Sequence, residues 1–256
     1  MKIIKSIKTS LAILNFFSKD TPLLGVTEVA KKLGLSKSTA SRILSTLQQG
    51  RLVAKIPANQ KYCLGSKVLE LANIFLSGIE WRTHAIPYLK ELRNKTDETV
   101  MVFVMDGDHR VCLEKFEGSH ELRPMLNIGG RYPLHAGSAG KLLLAFLPED
   151  ERRKILARTG LPRFTSSTIT GARTLEKELL LIRKRGYAIS HQERMSFLSS
   201  VSVPIRDHSG KVIAAACIDG PTVRFTAEKV KEIKNLGIAV ADQISAVIGF
   251  KTPKKT

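Results

Sequence analysis

Apolar positions at the start of the chain recur at helical spacing. Ile7, Leu11, Leu14 and Phe17 mark a stripe that predicts a helix from about Ile4 to Phe17 with those residues on its core face. Val26, Val29, Ala30 and Leu33 fall at i, i+3, i+4 and i+7 and predict a second helix. Lys31 and Lys32 fill its last turn, where the helix dipole favours cations, and Gly34 suits its left-handed end. A third helix follows, with Ser36 placed to cap it. It sets Ala40, Ile43, Leu44 and Leu47 on one face and Lys37, Ser38, Ser41, Arg42 and Ser45 on the other. After Gly50 the pattern changes to strand. Arg51–Ile56 and Lys61–Leu64 read as strands around a Pro-Ala-Asn-Gln turn. Helix, helix-turn-helix and β-hairpin together predict a winged helix-turn-helix domain over residues 1–65.

Residues 66–79 read as a linker helix. Val68, Leu71, Ala72 and Phe75 form one stripe, and Leu69, Ile74 and Leu76 carry it round the side. An apolar surface that wide needs more than one partner, and the expected cover is a second copy of the chain. The alternative is a core helix of the next domain. That domain, residues 80–250, opens with a helix marked by Ile86, Leu89 and Leu92, with Pro87 near its start. Thr99–Met105 and Arg110–Phe116 then flank an Asp-Gly-Asp turn, a strong hairpin signal, and Glu121–Ile128 reads as a third strand. Helices are expected at Ala139–Phe146, Glu149–Thr159 and Thr174–Arg185. Strands are expected at Tyr187–Glu193, Val201–Arg206 and Val212–Ile218, and a last helix at Ala227–Ile248. Hairpin-grouped strands with helices between them predict an α+β fold with a mainly antiparallel sheet. Residues 251–256 read as a basic, disordered tail.

Charge sharpens this picture. The 256 residues carry a formal net charge of +18 with an ordinary apolar fraction of 43%, which points to a polyanionic partner. Eleven basic residues stand against two acidic ones between Met1 and Ser66, so half the excess lies in the predicted winged domain. No carboxylate lies between Glu28 and Glu70. A recognition helix must bury one side and offer the other to a DNA groove. Short hydroxyls near its N-terminus can approach phosphates, and Arg42 can reach a guanine edge or a phosphate. The candidate DNA-binding residues are Thr27, Ser36, Lys37, Ser38, Thr39, Ser41 and Arg42, with Lys55 and Lys61 in the wing. The competing reading is a helical hairpin with a merely solvated polar face.

Three scattered cysteines, Cys63, Cys112 and Cys217, argue against a disulfide framework and for a reducing cytoplasm. No spacing suggests a metal site, no cofactor is called for, and no apolar run is long enough to span a bilayer. Membrane-surface binding would call for a basic amphipathic helix with exposed aromatics, and the single Trp81 lies outside the basic region. Gly137-Ser138-Ala139-Gly140-Lys141 lacks the spacing and the following hydroxyl of a phosphate loop. It reads instead as a small-residue turn into a closely packed helix whose N–H groups could meet a carboxylate. Cys217 with His135 or His191 would be a nucleophile and base only if the fold joined them; inside the apolar run Val212–Ile218 an inert, buried cysteine is expected, so no enzyme is predicted.

The segments GVTEVAKKLGLSKSTASRILSTLQQGRLV and KYCLG resemble the N-terminal domain of the IclR family of bacterial transcriptional regulators. DETVMVFVMDGD, RYPLHAGSAGKLLLAFLPE, RKRGYAISHQE and VPIRDHSGKVIAAACIDGP resemble its effector-binding domain. The resemblance spans nearly the whole chain. It implies a winged-helix reader joined by a helix to a GAF-like sensor, acting as a homodimer or tetramer on a pseudo-palindromic operator, under control of a small organic metabolite. The alternative is a sensor domain that serves only oligomerisation. In the family the effector lies on the cupped face of the sheet. Carried onto this chain, that implicates Gly137, Ser138, Ser190, Leu198, Ser200, Cys217 and Asp219. Many members have a small residue at the last two positions and glycine where Phe197 stands. An ionised Asp219 would repel a ligand carboxylate at close range. The expected effector is therefore hydroxylated, amino-bearing or neutral aromatic rather than a keto acid, with Phe197 narrowing the mouth.

Overall fold

The computed structural model describes residues 3–251; the predicted disordered tail lies, apart from Lys251, outside them. The chain divides into two compact units, Met1–Glu80 and Trp81–Thr256.

In the first unit α1 (Lys5–Leu14), α2 (Val26–Leu33) and α3 (Lys37–Gln49) precede a hairpin of β1 (Val53–Lys55) and β2 (Tyr62–Leu64). Gly34 ends α2 at φ 63°, and Ser36 Oγ accepts the Thr39 N–H at 3.1 Å to cap α3. These two local devices fix the turn of the helix-turn-helix. Val29, Ala30, Ala40, Leu44 and Leu47 close the core with Ile13, Leu24, Val53 and Tyr62. The predicted α1 stripe is corrected in part: Ile7 and Leu11 are 54% and 56% exposed, whereas Leu14 and Phe17 pack on the core beside the fully buried Ile13. Apolar residues lie on more than one side of α1, and packing against α3 selects the side. The residues leading into the wing are tied to α4 (Ser66–Ser77) by the Gly65 N–H to Leu52 carbonyl bond, the Lys67 N–H to Arg51 carbonyl bond and the Arg51–Glu70 ion pair. No residue of α4 is buried.

The second unit begins with α5 (Glu80–Thr96). Pro87 lies well inside this helix rather than near its start. Six antiparallel strands follow: β3 (Thr99–Asp106), β4 (His109–Phe116), β5 (Arg131–Pro133), β6 (Ala188–His191), β7 (Leu198–Arg206) and β8 (Val212–Pro221), in the order β5-β4-β3-β8-β7-β6. The expected strand at Glu121–Ile128 does not form, and β5 takes that edge. Pro124 cannot donate to a ladder, and Leu122, Met125 and Ile128 point to solvent. Alternation along the strands builds two cores. Val100, Val102, Val201, Val203, Ala216 and Ile218 pack with α5 and with α9 (Ala227–Val247). Met101, Phe103, Ala215 and Cys217 face α6 (Ser138–Phe146), with α7 (Glu149–Thr159) and α8 (Ala172–Arg185) beyond. The observed class is the expected α+β with an antiparallel sheet. Among the described residues no helix is long and apolar enough to cross a membrane.

Candidate functional site

The first candidate surface is the polar face of α3 with the wing. Thr27, Ser36, Lys37, Ser38, Arg42, Lys55 and Lys61 are exposed, and Thr39 and Ser41 are half-buried. Lys37, Arg42, Lys55 and Lys61 make no ion pair among the described residues, although Lys55 lies 5.9 Å from the Tyr62 ring centre. In α2, by contrast, Lys32 pairs with Glu28 at 3.0 Å. Ser36 Oγ is already held within 2.9 Å of the Ser38 and Thr39 hydroxyls, so it serves the helix cap first. Arg42 also lines a groove between α1 and α3, beside Thr9 and Ile43. The surface thus offers four cations without ion-pair partners among the described residues, Lys37 and Arg42 on a helix whose other face is core and Lys55 and Lys61 on the hairpin.

The second candidate lies in the second unit. All seven residues carried over for the effector, Gly137, Ser138, Ser190, Leu198, Ser200, Cys217 and Asp219, line one cavity. Phe103, Leu126, Ala139, Arg110 and Arg194 complete it. Its free volume is narrow, ≈ 10 Å³, about what one water centre requires. The strand period explains the gathering. Cys217 and Asp219 are two apart on β8 and Ser200 faces Asp219 across the ladder, so all three point to the α6 side. Ser138, in the first turn of α6, meets them from above. Its hydroxyl lies 2.7 Å from Ser200 Oγ and Ser202 Oγ and 3.4 Å from Cys217 Sγ. The Cys217 thiol donates to Asp219 Oδ1 at 2.7 Å. Burial and the neighbouring Asp219 push that thiol well above its ordinary range, which makes it a poor nucleophile. Neither histidine weighed as its base is bonded to it. His135 Nε2 bonds to the Pro162 carbonyl at 2.9 Å and His191 Nδ1 to Ser199 Oγ at 3.3 Å. No cluster of three or more metal-ligating side chains occurs among the described residues.

The structure adds the residues that sequence reasoning missed. Arg110 reaches in from β4. Its Nη1 donates to the Pro133 and Ala136 carbonyls at 2.8 and 2.9 Å, and its plane lies over Phe103. Burial lowers its pKa to about 10, so it stays charged at neutral pH. Gly137 makes room for it: a Cβ there would stand 2.8 Å from Arg110 Nη2, and the residue also has φ 94°. Arg194, in the loop after β6, lies over the Tyr132 ring at 4.8 Å. Nothing in the spacing of Arg110 or Arg194 announces a shared site; only the sheet order joins them. Burial raises Asp219 to about 6, against the pull of Cys217 and the two arginines. The Gly137 N–H, expected to be free for a ligand, is taken by Glu193 Oε2 at 3.0 Å, and Glu193 in turn pairs with the buried Lys141. Phe197 is 53% exposed and does not line the cavity.

Comparison with known proteins places both surfaces in one lineage. Residues 6–57 match the IclR helix-turn-helix domain and residues 74–246 the family described as bacterial transcriptional regulator IclR C-terminal. The chain is 33% identical over 245 residues to the HTH-type transcriptional regulator XynR of Escherichia coli (strain K12), spanning 94% of this chain and 97% of that one. It is 34% identical over 227 residues to KdgR of the same organism, spanning 89% and 86%. The crystal structure of the Thermotoga maritima IclR protein superposes with a TM-score of 0.80 at 32% identity, over 96% of this chain and 99% of that one. Its helix-turn-helix, its antiparallel sensor sheet and these matches agree: the chain belongs to the IclR family of bacterial transcriptional regulators, DNA-binding proteins rather than enzymes.

Proposed function

We propose that this regulator acts in the cytoplasm. It binds a pseudo-palindromic operator through α3 and the wing as a homodimer or tetramer, and a small organic metabolite held in the sensor cavity sets operator occupancy. The carrying observation is the set of unpaired cations on α3 and the wing. Lys37, Arg42, Lys55 and Lys61 stand in water on one unit with no carboxylate between Glu28 and Glu70. Releasing counterions from a duplex favours such a surface, and Arg42 is the group long enough to read a base edge. The oligomer reading is supported by α4, whose Leu69, Ile74 and Phe75 are exposed. The effector reading is supported by the convergence of seven carried-over residues on one cavity. The narrowness of that cavity favours the second reading, a sensor used only for oligomerisation.

The test is operator binding by full-length protein across a salt titration. Arg42→Ala is expected to weaken specific binding by about 1–3 kcal/mol. Lys55→Ala is expected to weaken all duplexes alike and to lessen the salt slope by about 1. Parent-like operator binding by Arg42→Ala at every salt concentration removes α3 as the reader.

A further inference from the structure

Arg110 is a buried charge left partly unsatisfied. It is 3% exposed, yet only Nη1 is bonded; Nε is buried without a hydrogen-bond partner. Arg152 is the other described residue with such an atom, but its guanidinium is paired with Glu176 at 2.5 Å. Arg110 has no ion pair among the described residues, and its side chain lines the cavity. Arg194 lines the same cavity. Its one polar protein contact is Met195 Sδ at 3.5 Å, and it too has no carboxylate partner. Asp219 uses one oxygen on the Cys217 thiol. Its other oxygen and the Ser190 hydroxyl make no hydrogen bond among the described residues, and both residues face the cavity.

Leaving a buried guanidinium edge unmade is costly, and that edge matches a carboxylate in a bidentate fork. The lining carries two guanidiniums and one carboxylate, a net +1 with Asp219 ionised. Glu193 adds nothing to this sum because Lys141 neutralises it. A monoanion balances the lining; a dianion would set its second charge against Asp219. The free acceptor on Asp219 and the hydroxyl of Ser190 ask for hydroxyl groups on the same ligand. We propose, on the basis of the effector reading above, that the cavity recognises a hydroxylated monocarboxylate, with Arg110 and Arg194 on the carboxylate and Asp219 and Ser190 on hydroxyls. Arg110 is fixed by two carbonyls, so it is the permanent half of the clamp. Arg194 rests on a ring face and a thioether, so it is the half that swings out to widen the cavity, whose ≈ 10 Å³ of free volume otherwise holds about one water, and to admit the acid. This revises the expectation from Asp219 alone: the arginines reverse the sign of the site.

Calorimetry on the full-length protein tests it. The probes are D-glycerate, L-threonate and D-gluconate, each beside its alditol (glycerol, threitol, glucitol) and its unhydroxylated acid (propionate, butyrate, hexanoate), with glucarate as the dicarboxylate. At least one of the three hydroxy acids is expected to bind. Its alditol and its unhydroxylated acid are each expected to bind about tenfold or more weakly. Arg194→Gln, a change at a partly exposed position, is expected to cost the acid about tenfold or more and to leave alditol binding unchanged. Arg110→Lys, which keeps the charge but loses the fork, should behave likewise if thermal melting shows it folded. Failure of all three hydroxy acids to bind, equal binding of acid and alditol, or an unaltered Arg194→Gln overturns the proposal. Operator binding by the same samples is read separately. A parent that holds its operator and responds to a different compound keeps the regulator and drops the acid; a parent that does not bind operator strikes the regulator and leaves the calorimetric result standing.

Discussion

Helices α4 and α6 are both predominantly apolar, and they end in opposite states. Every residue of α6 from Ser138 to Ala145 is buried, including a lysine and a serine. No residue of α4 is buried, and Leu69 and Phe75 are 66% and 60% exposed. Composition therefore does not decide burial here; the presence of a partner does. Around α6 the chain supplies everything: a sheet below, α8 beside it, and Glu193 for Lys141. Lys141 Nζ also donates to the Ile189 carbonyl at 2.9 Å and lies 3.5 Å from Glu178. Around α4 the unit supplies only the anchor at its N-terminus. What is missing in the second case is the second face that a wide apolar stripe implies.

The sharpest way to break the comparison is to remove the partner from the buried helix. Lys141→Ala leaves Glu193 buried beside Gly137 without its cation, and the expected loss is about 3–5 kcal/mol of unfolding free energy. Replacing both members, as in Lys141→Met with Glu193→Leu, should recover much of it. Chemical denaturation of the three proteins checks this, and a single variant as stable as the parent would mean that the pair is not what lets α6 be buried.

A smaller effect is expected at Asp219, whose burial holds it at about 6 against an ordinary 3.8. The raised value means that the folded state binds this proton more tightly than the unfolded chain does. Its contribution to stability is therefore greatest below about 4 and declines as pH rises through 6. Arg110, Arg194 and Cys217 oppose the shift, and Glu98 adds to it. Asp219→Asn should thus be more stable than the parent at pH 7–8, by about 3 kcal/mol at most. The advantage should fade towards pH 4. Paired melts across that range would refute the assignment if the gap widened on acidification.

The smallest effect on unfolding, and the most informative for α4, is expected from Leu69→Glu with Phe75→Glu. Each lies in water within its own unit, so stability should change by less than about 0.5 kcal/mol per site. Sedimentation should nevertheless shift towards monomer. A parent that is already monomeric at high micromolar concentration would remove the second copy as the missing partner.

Much of this was legible in the sequence, and for local reasons. Gly34, Ser36 and the 3.6-residue period define the helix-turn-helix without any long-range contact. The long strands of the sheet are marked by short apolar runs such as Val100–Met105 and Val212–Ile218 bounded by Asp-Gly and Ser-Gly turns, because both signals are written in consecutive residues. Legibility fails where partners decide. Ile7 and Leu11 follow a faultless helical spacing and still face solvent, because helix periodicity does not say which side meets α3. Glu121–Ile128 alternates well enough for a strand, yet Pro124 breaks the ladder. The cavity was half legible. Resemblance supplied the seven residues on β6–β8 and α6. Arg110 and Arg194 are separated by nearly half of the second unit in sequence and line one cavity only because β4 and the β6–β7 loop reach the same face.

The sheet order also sets a timetable. β3 pairs with β8, so Thr99 waits for Asp219, 120 residues later in the chain. At about 5–20 residues per second of synthesis, that wait is on the order of ten seconds. The first unit has no such delay, because its pairings close within Met1–Glu80. During translation the first unit is thus complete while the second still has an open central strand, shielded on one edge only by its hairpin with β4. The apolar run Val100–Phe103 is the segment most exposed to misassociation in that interval.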